Sequence, residues 1–164
     1  MAMESTKVNW RHSILFLLVA AIVLVADQVT KSLIRANMIL GQSIPVEGRF
    51  RLSYSTNSGG IFSLPLNSTV LLVLAVIVVA IIIWLYFRHL YKRGKLLRFG
   101  LGLVLSGAGG NLIDRIWFGE VTDFIDVRLW GDFHWPTFNV ADASLSIGIF
   151  VLIYGILIMA KNIE

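Results

Sequence analysis

Five short polar clusters break an otherwise apolar chain: DQVTK at 27–31, NSGGIF at 57–62, GNLIDR at 110–115, VTDFID at 121–126 and FNVAD at 138–142. Four of them carry aspartate. A carboxylate in or beside hydrocarbon costs at least about 2–3 kcal/mol, so each one needs a reason. Asp27, Asp114, Asp123 and Asp142 could offer oxygen ligands to a cation, as in a small transporter. Lys31 could act as base for a serine such as Ser32 or Ser55 in a serine–lysine peptidase. Neither fits well. Transporter sites lie near the bilayer midplane between repeated halves, and no repeat is visible here. No serine stands at a helical spacing that shares the face of Lys31. The chain has no cysteine, no HExxH pair and no clustering of its 3 histidines, which excludes thiolate chemistry and a zinc-protease helix.

The elements that must position these groups are membrane helices. Of 164 residues, 57% are hydrophobic and 15% charged, more apolar side chain than a soluble domain of this size can hide. Four spans are expected, at about 13–38, 68–87, 96–118 and 141–160, in a single domain covering 1–164. The fold class is thus an all-α integral membrane protein, a four-helix bundle with a small β-sheet and a loop on the outer membrane face. The first span reads as an uncleaved anchor, since its apolar stretch is too long for a signal peptide.

Charge sets the orientation. Lys7 and Arg11 precede the first span, Arg88, Lys92, Arg93, Lys95 and Arg98 crowd the connection between the second and third, and Lys161 follows the fourth. Those regions, with both termini, belong on the cytoplasmic side. The net charge of +4 therefore reports topology and not nucleic acid. Trp10 and Trp84 fall at the inner edge, and Trp117, Trp130 and Trp135 at or beyond the outer one.

Between the spans lie two outer segments. In 42–64, Phe50, Leu52 and Tyr54 alternate with Arg49, Arg51, Ser53 and Ser55, the period of an amphipathic strand, after a turn marked by Pro45 and Gly48. The segment 119–138 reads as an aromatic and acidic loop.

At about 1.5 Å per helical residue, Asp27 lies roughly 21 Å beyond Ser13 and Asp114 roughly 24 Å beyond Arg98. With Asp123 and Asp142 they converge on the outer interface. Local roles are also open to them. Asp27 and Lys31 are spaced for an intrahelical ion pair. Asn139 and Asp142 have the spacing of a capping box, although aspartate is a short replacement for glutamate there. Arg115 could snorkel to the headgroups. Gly107, Asn111 and Asp114 share one helix face, which should look into the bundle or an aqueous pocket. Gly102, Ser106 and Gly110 form a second row suited to close helix approach. Asp126 reads as an ordinary loop acid.

Taken in order, the clusters resemble those of the lipoprotein signal peptidase family (signal peptidase II), the membrane aspartyl peptidases of bacteria. DQVTK resembles the family's D-Q-x-[ST]-K, NSGGIF its N-x-G-A-x-[FW], GAGGNLIDR at 107–115 its G-x-x-G-N-x-x-D-R, VTDFID its V-x-D-F-[IL], and FNVAD its F-N-x-A-D. Gly60 stands where the family has alanine, and Gly109 where it has a larger apolar residue. The resemblance implies that Asp123 and Asp142 are the catalytic pair. It implies that Asn111, Arg115 and Asn139 bind substrate or support the pair, and that Asp114, Asp27, Lys31, Asn57 and Gly59 shape the site and its lid. It also implies no cofactor and no metal. The partners it implies are prolipoproteins carrying a diacylglyceryl-cysteine, membrane lipids and substrate-mimicking peptide or macrocyclic inhibitors. The enzyme is expected as a monomer in the bacterial inner membrane.

Two such carboxylates cannot both ionise cheaply and tend to share one proton. The ionised partner can activate water while the protonated one polarises the scissile carbonyl.

Overall fold

The computed structural model describes residues 10–58, 68–85 and 94–161. Among the described residues four helices, α1 (Trp10–Asn37), α2 (Ser68–Leu85), α3 (Lys95–Phe118) and α4 (Val140–Lys161), carry a sheet of four strands. The strands are β1 (Ser43–Ile44), β2 (Phe50–Asn57), β3 (Val121–Trp130) and β4 (Phe133–Phe138). Ser13–Asn37, Lys95–Phe118 and Val140–Met159 are each long and apolar enough to cross a membrane, and Thr69–Trp84 of α2 is a shorter apolar helix. Gly59 and the basic residues Lys7, Arg88, Lys92 and Arg93 lie outside the described residues.

The central helix is α3, packed against α1, α2 and α4. Its small residues permit this. A Cβ at Gly102 would stand 2.9 Å from the Phe16 carbonyl oxygen of α1, and one at Gly107 would overlap the Ala141 carbonyl oxygen of α4. Gly110 packs its bare backbone against the Asp27 carboxylate. Below these contacts Phe16, Ile82, Leu101, Val104 and Ala108 form the buried core. The apolar side chains left outside, such as Ile22, Val25, Phe150 and Leu157, cover the lipid-facing flanks of α1 and α4.

The α3 helix stops at Gly119, whose left-handed φ of 79° lets its N–H close on the Arg115 carbonyl oxygen at 3.2 Å. The chain then turns directly into β3. The segment 119–138, expected as a loop, is instead an antiparallel β3–β4 hairpin in a sheet of order β1-β2-β3-β4. Its polar residues hid the strand period, because the sheet buries Asp123 and Asp126 together with Val121 and Phe124. The sheet sits at the end of the bundle where the C-terminal halves of α1 and α3 meet the N-terminus of α4.

Candidate active site

Asp142 is fixed by the way α4 begins. Asn139 caps the helix, its Oδ1 accepting the Asp142 N–H at 2.8 Å, and Asp142 Oδ2 accepts the Asn139 N–H at 3.3 Å. The capping box therefore closes even with aspartate in it, one carboxylate oxygen serving the cap and the other facing the bundle. That second oxygen, Oδ1, accepts Asn111 Nδ2 at 2.7 Å. An anion in the first turn also suits the helix dipole.

Asp123 arrives on β3. Asn139 Nδ2 donates to its Oδ1 at 2.7 Å, and Asn57 on β2 adds a second side-chain hydrogen bond. Burial first, and then the neighbouring charge of Asp142, push the Asp123 carboxyl up to about 7, against the opposing pull of Asn139, Lys31 and Asn57. At neutral pH this group holds a proton about half the time.

Both carboxylates line one cavity of about 280 Å³, together with Asn57, Asn111, Arg115 and a wall of Leu71, Leu74 and Val78 from α2. The cavity is polar where the carboxylates stand and apolar along α2. Arg115 projects into it, tied by Nη1 to the Asn111 carbonyl oxygen at 3.4 Å, and makes no ion pair among the described residues.

Behind the cavity lies a buried ion cluster. Lys31 Nζ stands 2.9 Å from Asp27 Oδ2, 3.2 Å from Asp114 Oδ2 and 3.0 Å from Asn111 Oδ1, with all three charged side chains fully buried. The remaining lone pairs are satisfied. Asp27 Oδ1 accepts the Ala141 N–H at the start of α4, Asp114 Oδ2 accepts the Thr122 N–H, and Gln28 Nε2 reaches Asp27, Asp114 and the Gly110 carbonyl oxygen. Arg35, lying over the Phe118 ring at 4.3 Å, brings a second cation to within 3.7 Å of Asp114. Such a cluster is tolerable only when every member is paired, and here it joins α1, α3, α4 and β3. Lys31 also holds Asn111 in the orientation that presents Nδ2 to Asp142.

The expected site residues thus separate into layers. Asp123, Asp142, Asn111, Arg115 and Asn57 meet at the cavity, Asn139 bridges the two carboxylates from below, and Asp27, Lys31 and Asp114 stand behind. Asp27 and Lys31 form the expected ion pair, but Asp114 and Asn111 share the lysine. Gly59 lies outside the described residues.

A family model described as signal peptidase (SPase) II matches residues 19–158. A lipoprotein signal peptidase of Moorella thermoacetica is 44% identical over 146 residues, covering 88% of this chain and 94% of that protein. A second, from Desulforapulum autotrophicum, is 40% identical over 156 residues, covering 91% and 95%. The chain belongs to the signal peptidase II family. Two solved structures described as bacterial membrane enzymes superpose with TM-scores of 0.79 and 0.75 at 30% and 32% identity. The first covers 99% of this chain and 97% of that one, the second 94% and 98%.

Sequence reasoning missed part of the candidate site in this signal peptidase II family member. Gln28 stands inside DQVTK without an assigned role, yet it ties Asp27 to Asp114. Asp126, read as an ordinary loop acid, is 3% exposed and bonded to Arg51, Ser53 and His134. Burial opposes its charge, but the hydrogen bonds from His134, Arg51 and Ser53 hold its carboxyl below the ordinary value. The cue available in the sequence was the polar face of β2, where Arg51 and Ser53 call for an acidic partner.

Proposed function

We propose that this chain is an aspartic endopeptidase that removes the signal peptide from diacylglyceryl-modified prolipoproteins, cutting before the lipidated cysteine. The observation that carries the reading is that Asp123 and Asp142 line one cavity from different elements, with Asp123 at about 7.

In this mechanism Asp123 holds the proton, and Asp142, each oxygen of which accepts an N–H, is ionised. Asp142 takes a proton from water as the water oxygen adds to the scissile carbonyl carbon. Asp123 donates its proton to the carbonyl oxygen, giving a neutral tetrahedral diol. Collapse returns a hydroxyl proton to Asp123, breaks the C–N bond and passes the Asp142 proton to the leaving nitrogen. Arg115, projecting into the cavity, orients the substrate main chain and stabilises negative charge that develops on it. Lys31 is unsuited to the role of base for a serine, being fully buried against Asp27, Asp114 and Asn111, with no serine hydroxyl bonded to it among the described residues. Asp27 and Asp114 are unsuited to a transported cation, because Lys31, Gln28 and backbone N–H groups already occupy their oxygens.

In this reading α1 to α4 all cross the bacterial inner membrane, with both termini cytoplasmic and the site at the outer face. The basic residues between α2 and α3 support that orientation. So do the exposed apolar side chains Ile44, Val46, Phe50 and Leu52, which suit a sheet resting on the outer leaflet. A substrate helix lying in the bilayer would then present its scissile bond at the level of the pair.

The test is cleavage of a diacylglyceryl-modified prolipoprotein by the purified protein in detergent, beside Asp123→Asn and Asp142→Asn. Turnover by the parent, with loss of about 10³-fold or more in each variant, is expected. Activity surviving both substitutions would refute the aspartyl pair.

A further inference from the structure

Asp126 has no part in that reaction scheme, yet one carboxylate ties the whole sheet together. Arg51 of β2, directly opposite it in register, donates Nε at 2.9 Å and Nη2 at 2.5 Å to Oδ2. Ser53 Oγ donates to the same oxygen at 2.8 Å, and His134 Nδ1 of β4 lies 2.6 Å from Oδ1. Ser53 in turn meets Ser43 Oγ of β1 at 2.8 Å. All four strands are linked through this group.

The link falls where the sheet is irregular. β2 pairs in step with β3 through Leu52↔Ile125 and resumes at Ser55↔Asp123, so β2 runs three residues where β3 runs two. That bulge changes which β2 side chains share a face with Asp123. Unbroken alternation would put Leu52, Tyr54 and Thr56 there. The bulge puts Ser55 and Asn57 there instead, opposite Asp123 and Val121. Asn57 then reaches the cavity and hydrogen-bonds Asp123. Ser53, held by Asp126, is one of the two residues at the bulge.

We propose that Asp126 is a positioning residue for peptide cleavage: by holding Arg51 and Ser53 it locks the β2 bulge that brings the Asn57 side chain onto Asp123. The inference rests on Asp123 being one of the catalytic pair. Its consequence is electrostatic as well as geometric. The groups acting on Asp123 are Asp142 of α4, Asn139 capping that helix, Lys31 from α1 and Asn57 from β2, with Arg115 of α3 across the cavity. Losing the Asn57 bond removes a donor that favours the ionised carboxylate, so Asp123 should hold its proton to higher pH.

The experiment is a set of pH–rate profiles on the full chain in detergent with a diacylglyceryl-modified prolipoprotein. It compares the parent, Asp126→Asn, Asn57→Ala, the double variant and Ser53→Ala, with Asp123→Asn as control. Asp126→Asn should lower kcat by about ten- to a hundredfold with KM within about twofold, the effect of a misplaced group distant from the substrate. Its alkaline limb should move to higher pH, as should that of Asn57→Ala. The double variant should be no slower than the slower single variant, because both substitutions break one route. Parent-like kcat and profile in folded Asp126→Asn, or a double variant losing the product of the two single losses, would overturn the inference. Should Asp126→Asn fail to fold, Ser53→Ala decides: the same upward limb shift supports the link, and a parent-like profile overturns it. Activity surviving in Asp123→Asn would instead overturn the reading on which the inference rests.

Discussion

Asn111 Nδ2 stands 2.7 Å from Asp142 Oδ1, and the amide is held so that it cannot turn away. Its Oδ1 faces Lys31 Nζ at 3.0 Å and Asn139 Nδ2 at 3.2 Å, two donors that reject the flipped orientation. A donor is therefore fixed on the carboxylate assigned to water activation. Asn111→Asp keeps the volume but sets a second acceptor, and at neutral pH a second charge, beside Asp142. We expect kcat to fall by about 10²–10³-fold, the scale for losing a preorganised donor, with the protein still folded. Single-turnover cleavage together with thermal unfolding in detergent checks both halves of this expectation.

Lys31 carries a different kind of load. It faces two buried carboxylates, so Lys31→Met leaves Asp27 and Asp114 without their nearest cation. Removing one partner of a buried pair costs about 3–5 kcal/mol, and here the loss also frees Asn111. The variant should give little folded protein. Adding Asp114→Asn should recover part of the fold and little of the activity, measured as the monodisperse fraction and the cleavage rate.

The helices and the outer strand were legible because hydropathy and alternation report burial directly, and the membrane removes competing explanations for a long apolar run. Asp27 with Lys31, and Asn139 with Asp142, were legible because helical spacing fixes which side chains meet. The β3–β4 hairpin was not. Asp126 reads as an ordinary loop acid because nothing local shows that Arg51, Ser53 and His134 cover it, and nothing local shows that Asn57 and Asn139 cover Asp123. The bulge in β2 was equally hidden. Alternation predicts Tyr54 on the face of Phe50 and Leu52, and only pairing with β3 shows that Ser55 and Asn57 take its place. Long-range partners decided each of these points.

The rate of cleavage should depend on pH through Asp123. With its carboxyl at about 7, the proton that polarises the scissile carbonyl is present below that pH and lost above it. Activity per folded enzyme should therefore fall as pH rises through about 7, by about tenfold for each further pH unit, for as long as proton donation limits the rate. A rate that stays flat up to pH 9 would assign the proton to the other member of the pair.

The same proton affects stability. In the unfolded chain Asp123 ionises near its ordinary 3.8, whereas in the folded protein it does so at about 7. Below the lower value both states are protonated and the group is neutral with respect to folding. Between the two values the unfolded state releases a proton that the folded state keeps, so folding stability declines as pH rises, and above about 7 the loss is complete. Asp123→Asn removes the carboxylate but keeps a polar side chain of the same size beside Asn139 and Asn57. It should therefore raise the melting temperature at pH 8, by something on the order of 5 °C, and raise it progressively less as the pH is lowered towards 4. Thermal unfolding of the parent and Asp123→Asn at pH 5, 6.5 and 8 measures the trend. Equal shifts at all three would mean that the cost at this position is steric and not the ionisation of a buried acid held against Asp142.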